Sequence, residues 1–419
     1  MSLYRTRGVR PLLLAEVVSS LGSQMTFLAL PWFVLATTGS PTRMGIVLAA
    51  QLLPVGLLGI PSGSVVGRLG ARRTMLVGDA ARAPLLVAIP LLYAADLLSF
   101  PLLLVCVFLI GVFIAPYFSA QRLILPELVG EDERVVAEAN AFVEGATRLT
   151  SLLGPASAGI LIALFGATNV LYIDAATFAF AFLMLRFFVP HRPPLAPTDE
   201  SKGILAGVRF LARDRLLASL GVTALFLNAF GQMLTASLPV LAFEHFGESS
   251  RIAGGFFAAF GAGAVLGSVI AMKAIHRFDP IRLGAFSLVA LTLPIWILPL
   301  GLPAGGVMAV LFVSSIFGPL VNAPLIGVIT MRTPEALRAK VMTAVLTFAL
   351  LAGPLGLLVV GPLLQGIGVY KVFLLIAAGQ TLAAAVFAFA ALRQPPRQPL
   401  EEGPVENRWE TSPTPTTSV

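Results

Sequence analysis

Residues 100–121 read FPLLLVCVFLIGVFIAPYFSAQ and contain no Asp, Glu, Lys or Arg. Wound as an α-helix, 22 residues extend about 33 Å, close to the roughly 30 Å hydrocarbon core of a bilayer. An uncharged run of that length predicts a membrane-crossing helix, and it sets the scale for reading the rest of the chain.

Working outward, comparable apolar segments fall near 11–36, 44–66, 75–95, 147–166, 169–189, 217–243, 253–272, 283–302, 305–330, 342–366 and 370–392. With 100–121 they make twelve. The whole composition agrees: of 419 residues 57% are hydrophobic and 12% charged, where a soluble domain carries about 25% charged residues. A water-soluble enzyme is excluded, and the fold class expected is all-α integral membrane. The stretch behind Arg5, Arg7 and Arg10 runs past Glu16 without a clear small-residue cleavage site, so it reads as an uncleaved first helix. The lone Cys106 permits no intramolecular disulfide.

The net charge of +7 is explained by orientation rather than by nucleic-acid binding. One set of connections holds Arg5, Arg7 and Arg10; Arg68, Arg72 and Arg73; Arg122 and Arg134; and Arg192 to Arg215. It continues with Lys273, Arg277 and Arg282, then Arg332, Arg338 and Lys340. The alternate set offers Arg43, Arg251 and Lys371. Cationic loops stay inside, which predicts a multi-pass protein of the cytoplasmic membrane with both termini cytoplasmic.

The longest connection divides the chain. Residues 1–189 form an N-terminal six-helix bundle and 217–392 a C-terminal one. Residues 190–216 link them, ending in a basic segment around Val208–Arg215 that reads as a surface helix on anionic headgroups. The tail 393–419, rich in Pro, Thr, Glu and Ser, has too little apolar surface to fold. The halves repeat weakly: Gly159 to Gly166 (GILIALFG) matches Gly361 to Gly368 (GPLLQGIG), and Gly63-Ser64-Val65-Val66 matches Gly267-Ser268-Val269-Ile270. Parallel repeats with a midplane substrate site between them build one class of transporter.

Three motifs then stand in order. Gly63-x-x-x-Gly67-Arg68-x-Gly70-x-Arg72-Arg73 resembles the helix 2–3 loop of the major facilitator superfamily. Gly154-Pro155-x-x-Ala158-Gly159 resembles the helix 5 motif of its antiporters. Pro126-Glu127-Leu128-Val129, followed by Ala139-Asn140-Ala141, is similar to the branch holding macrolide-efflux and enterobactin-export transporters. The resemblance covers residues 8 to 392 and implies two six-helix bundles and alternating access. The chain departs from the family where it has Gly67 in place of an acidic residue, and Ser23 where that branch often has Asp. The acidic latch is therefore missing or moved, and Asp79 is a candidate substitute.

Physical chemistry gives the motifs work of their own. Small residues at 63, 67 and 70 allow close approach, and Arg68, Arg72 and Arg73 can bond helix C-terminal carbonyls. Pro155 removes a hydrogen bond to the Ser151 carbonyl, while Gly154, Ala158 and Gly159 leave a smooth face for another helix. Gly261, Gly263 and Gly267 read as packing residues.

Ionisable side chains within spans are costly and mark functional candidates. Glu16 is either the proton-coupling carboxylate or one paired with a neighbouring arginine. Asp79 with Arg82, and Glu144 with Arg148, lie one helical turn apart and predict ion pairs that gate or stabilise. Asp174 bonds a neighbouring helix or carries protons. Gln24, Asn228, Gln232, Asn322 and Gln365, with Gln380, are uncharged cavity candidates, and Phe226, Phe230, Trp296, Phe317 and Phe348 could wall a cavity for amphipathic molecules.

His191, His245 and His276 are scattered, so no metal is expected. No phosphate loop or nucleophile–base set appears, and no cofactor is expected. The expectation is a secondary transporter whose partners are a small molecule, protons and the bilayer, exporting an amphipathic drug, macrolide-like or siderophore-like compound by proton antiport. The alternatives are a gradient-independent facilitator, importer or lipid transporter of the same fold, and a non-transporting scaffold or sensor.

Overall fold

The computed structural model describes residues 8–129, 133–191, 209–210, 212–213, 215–275, 277–333 and 335–392. Most of the linker and all of the tail 393–419 lie outside the described residues. The first six helices are α1 (Val9–Thr38), α2 (Pro41–Leu69), α3 (Ala71–Ala94), α4 (Phe100–Val129), α5 (Glu133–Phe165) and α6 (Ala167–Phe188). The second six are α7 (Arg215–His245), α8 (Ser250–Ala274), α9 (Pro280–Thr292), α10 (Ala304–Arg332), α11 (Glu335–Ile367) and α12 (Val369–Leu392). Each of the twelve, α9 together with its continuation to Leu300, contains a stretch long and apolar enough to cross a bilayer.

Helix ends follow local chemistry. Ser40 and Ser249 cap α2 and α8 by accepting from the Arg43 and Ile252 backbone N–H groups. Gly70 alone joins α2 to α3 at φ +81°, which an L side chain rarely adopts. Helix α9 tightens into a 3₁₀ segment over Leu293–Leu300, where Pro294 and Pro299 lack the N–H an α-helix needs. Several helices overrun the apolar segments read from sequence. Helix α5 starts at Glu133 and α11 at Glu335, because a helix can continue beyond the bilayer once polar residues meet water.

The halves repeat in packing. In the first, α1 lies on α5 and α6, α4 on α2 and α3, and α3 on α6. In the second, α7 lies on α11 and α12, α10 on α8 and α9, and α9 on α12. Two seams join the halves, α2 along α11 and α5 along α8, and exchanging the halves exchanges the seams.

Both seams rest on glycine. A Cβ on Gly45 would lie 2.7 Å from the Leu357 carbonyl oxygen and 3.1 Å from the Gly361 Cα. One on Gly159 would lie 2.5 Å from the Ser250 carbonyl oxygen and 2.9 Å from the Gly254 Cα. Helix axes approach this closely only where side chains are absent. Gly261 packs on Leu152, and Gly263 and Gly267 pack on α10 backbone. Gly63 is different from its sequence expectation. Nothing lies within 4 Å of a Cβ built there, so it makes no close helix contact in this state.

The buried core shows which side is closed. Call the face bearing the start of α1 and the end of α12 the terminal face. Away from it, one apolar core runs through both halves, with Phe27 against Phe257 and Trp32 against Phe243 at centroid distances of 5.7 Å each. Near the terminal face the cores are separate. One holds Leu12, Met75, Tyr117 and Leu125 of the first half, the other Leu220, Leu288, Val321 and Phe387 of the second. The halves therefore seal the far face and part toward the terminal face.

Candidate functional site

Among the described residues, Glu16, Asp79, Arg82 and Asp174 are the buried acidic and basic side chains, each at most 6% exposed. All four belong to the first half. Of the helices that carry them, α6 packs on both α1 and α3, and α4 packs on α3.

Glu16 accepts from the Tyr117 hydroxyl at 3.1 Å through Oε1, and from the Gln121 side-chain amide through Oε2. Tyr117 and Gln121 are four residues apart on α4, hence on one helix face. Asp79 pairs with Arg82 at 2.7 Å through Oδ1, while its buried Oδ2 has no partner. The guanidinium lies between two rings, 4.2 Å from the Tyr117 centroid and 4.3 Å from that of Phe178. That geometry offers cation–π attraction of about 2 kcal/mol when desolvated. Asp174 accepts from the Thr177 hydroxyl at 3.1 Å. Gly22 of α1 makes the room, since a Cβ there would run into the Asp174 and Thr177 side chains.

Glu16 also lines a cleft with Leu13, Val17, Ser20, Gln121 and Thr147, between α1, α4 and α5. The space inside it is about 10 Å³, room for about one water, whereas drug-sized sites occupy about 300–1,000 Å³.

Sequence comparison bears on this twelve-span arrangement. The family model described as Major Facilitator Superfamily matches residues 12–357, with a second match over 226–417. The chain belongs to this superfamily. Among curated facilitators, the multidrug efflux pump Tap of Mycolicibacterium fortuitum is 27% identical over 395 residues, covering 90% of this chain and 94% of that one. The staphyloferrin A transporter of Staphylococcus aureus is 23% identical, covering 63% and 66%. Among solved structures, the nucleoside transporter NupG (D323A mutant) superposes with a TM-score of 0.74 at 15% identity, over 91% of this chain and 98% of that one. An inward-facing, unoccupied bacterial homologue of the lysosomal transporter Spinster gives 0.72 at 15% identity, over 92% and 96%. The chain is thus a membrane transporter of the facilitator fold.

The remaining facilitator motifs fall into place around the cluster. Arg72 donates to the Leu185 and Arg186 carbonyls at 3.1 and 2.8 Å, tying α3 to the C-terminal end of α6. Arg68 and Arg73 are exposed. Asp79 pairs with Arg82 in the interior. The side chain of Glu127, on α4, lies near the Ala71 N–H at the start of α3. That gives the loop a carboxylate where a helix N-terminus favours one. Gly154 packs on Gln24 of α1 and Gly159 on α8, so the helix 5 motif serves two neighbours, not one.

Glu144 and Arg148 pair at 2.8 Å, and Arg148 reaches across the seam to Ser268 at 2.7 Å. Gln24 and Gln232 sit half-buried, Gln24 against Gly154 and Gln232 against Gly353. Asn228 and Asn322 are exposed, and Asn228 bonds its own helix at Ala224.

The other cavity candidates sit in these contacts. Gln365 accepts from Ser40 at 3.1 Å across the closed far end of the α2–α11 seam, away from any opening. Trp296 donates to Thr381 on the α9–α12 edge. Phe317 packs on Phe286, and Phe230 on Gly379. These rings fill helix contacts. The Phe348 side chain lies outside the described residues. Tyr117, Gln121 and Phe178 were not singled out from sequence. The available signal was two polar groups one turn apart, Tyr117 and Gln121, in an otherwise apolar run.

Proposed function

We propose that this facilitator exports small amphipathic compounds from the cytoplasm in exchange for protons, with both chain ends on the cytoplasmic side of the cell membrane. The observation that carries the reading is the cluster of buried carboxylates confined to one bundle. Three carboxylates facing a single guanidinium in an apolar interior cannot all stay ionised without a large desolvation cost. Protons are the simplest means of balancing them. The second half holds no buried acid or base among the described residues, so coupling and substrate recognition are divided between bundles.

In this reading the terminal face is cytoplasmic, as the lysine and arginine distribution favours. The structure is then the state that loads cargo from the cell. Gln24 and Gln232, half-buried near the middle of α1 and α7, would offer uncharged donors and acceptors, which suits neutral or weakly basic amphipaths. The Tap relatives are named multidrug efflux pumps, which supports export over uptake.

The test is transport of ethidium, tetracycline and erythromycin in proteoliposomes under an imposed pH gradient, comparing wild type with Glu16→Gln. Gradient-driven transport that Glu16→Gln lowers at least tenfold is the expected result. Transport indifferent to the gradient would establish a facilitator instead. If no compound moves, the export reading is overturned.

A further inference from the structure

Helices α2 and α4 both start at the far face and run side by side toward the terminal face. Part-way down they meet closely, where Gly111 of α4 packs on the Gln51 backbone and on Pro54 of α2. That contact lies eleven residues beyond Phe100, the first residue of α4, and so about 16 Å in. Between it and the far face lies a groove of about 290 Å³, lined by Ala50 of α2 and by Leu104, Val105, Phe108 and Leu109 of α4. Every lining residue is apolar, and Val105, Phe108 and Leu109 are exposed on the outside of the bundle. The α4 residues of the groove lie four to nine positions beyond Phe100, about 6–14 Å in. The groove therefore stays within one leaflet of a hydrocarbon core roughly 30 Å thick.

Arg43 stands over this groove. It precedes Ala50 by seven residues, which on an α-helix is the same face two turns nearer the far end. Its guanidinium lies 5.4 Å from the centroid of the Phe100 ring, and Phe100 is one turn above Leu104 on α4. The side chain is exposed, and among the described residues it makes no ion pair and no hydrogen bond. Asp96, in the turn between α3 and α4, does not pair with it. No other Lys or Arg stands near the far face in the first half. A guanidinium resting on a ring keeps its planar fork of N–H groups free, and that fork matches a phosphate through two parallel hydrogen bonds. Helices α2 and α4 also begin here, so the positive ends of two helix dipoles reinforce the arginine.

A cation at the rim with an apolar trough directly beneath it fits a ligand in two parts, an anionic head and a hydrocarbon tail. A free anion would leave the trough uncovered, and a zwitterionic lipid brings its own ammonium group against the guanidinium. We propose that this corner binds one anionic phospholipid of the far-face leaflet, its phosphate on Arg43 and one acyl chain in the groove between α2 and α4. The site is apart from the carboxylate cluster and independent of the direction of transport. Pro41 and Thr42, beside Arg43, pack on Gly361 of α11, so the lipid lies next to the closed end of the α2–α11 seam.

The test is native mass spectrometry of the full-length protein, purified in detergent with equal amounts of phosphatidylglycerol and phosphatidylcholine. The readout is the lipid that remains bound after the detergent is stripped. Wild type should retain one phosphatidylglycerol in preference to phosphatidylcholine. Arg43→Gln should weaken that retention about fivefold, the effect expected of one interfacial arginine on an anionic lipid. Arg251→Gln, which removes a far-face arginine of the second half, should leave it unchanged. Ala50→Leu keeps the arginine but fills the groove, and it should release the lipid as well. Equal retention of the two lipids, or equal loss in Arg43→Gln and Arg251→Gln, would mean an adventitious lipid coat only and overturns the site. Retention undiminished by Ala50→Leu, or abolished by inorganic phosphate alone, overturns the placement of the chain in the groove.

Discussion

Gly159→Ala is the perturbation whose outcome the structure fixes most closely. The added methyl would sit 2.5 Å from the Ser250 carbonyl oxygen and 2.9 Å from the Gly254 Cα, both backbone atoms of α8 that cannot rotate away. Relief requires α5 and α8 to separate at the sealed far face. Overpacking of this kind costs about 1–3 kcal/mol, paid only in the state that closes the seam. At about 1.4 kcal/mol per tenfold, the equilibrium moves roughly 5- to 150-fold toward the state with the far face open. The assay is a distance distribution between spin labels on Leu97→Cys and Lys371→Cys, exposed far-face positions in opposite bundles. The chain's single native cysteine is removed by Cys106→Ala. Gly63→Ala serves as control, because nothing lies within 4 Å of its added carbon in this state. A rise in the long-distance population for Gly159→Ala and none for Gly63→Ala is expected. An unmoved distribution for Gly159→Ala, or an equal rise in both, would refute the claim that glycine contact holds the far face shut.

Two further predictions concern charge. Asp79→Asn leaves Arg82 buried without its partner and should lower unfolding stability by about 3–5 kcal/mol. The double change Asp79→Leu with Arg82→Met should recover most of that loss in denaturant unfolding, while gradient-driven transport stays lost. Glu144→Gln removes a pair whose side chains are 65% and 44% exposed. It should change stability by no more than about 1 kcal/mol, as read by the same unfolding experiment.

How much of this was legible in sequence depends on range. The twelve spans and their division into halves follow from hydropathy and charge spacing, both local or cumulative along the chain. The Asp79–Arg82 and Glu144–Arg148 pairs were equally legible, because a helix fixes its own three- and four-residue neighbours. Partners from other helices were not. Nothing in the order of residues says that Tyr117 reaches Glu16 across 101 positions, or that Gln365 faces Ser40. Gly63 failed for a different reason. A sequence specifies contacts for every state of a moving protein, whereas one structure shows one of them.

The repeat turns that limitation into a last argument. Counted from their helix starts, Leu288 holds in α9 the place of Asp79 in α3, Leu291 that of Arg82, and Val321 in α10 that of Tyr117 in α4. Leu288 and Val321 belong to a dry apolar core. The same packing is therefore satisfied without charge, and the fold does not require the polar cluster. Buried ion pairs are seldom more stable than well-packed apolar residues of the same volume, so the first bundle retains its charges at a cost that only function explains. Leu288→Asp should then lower stability by at least about 3 kcal/mol, since the introduced carboxylate has no arginine. Adding Leu291→Arg should recover part of the loss by rebuilding the pair three residues apart, and transport should survive in the double variant. If Leu288→Asp is tolerated alone, the second bundle is wetter than its burial indicates, and the division of labour between the bundles loses its physical basis.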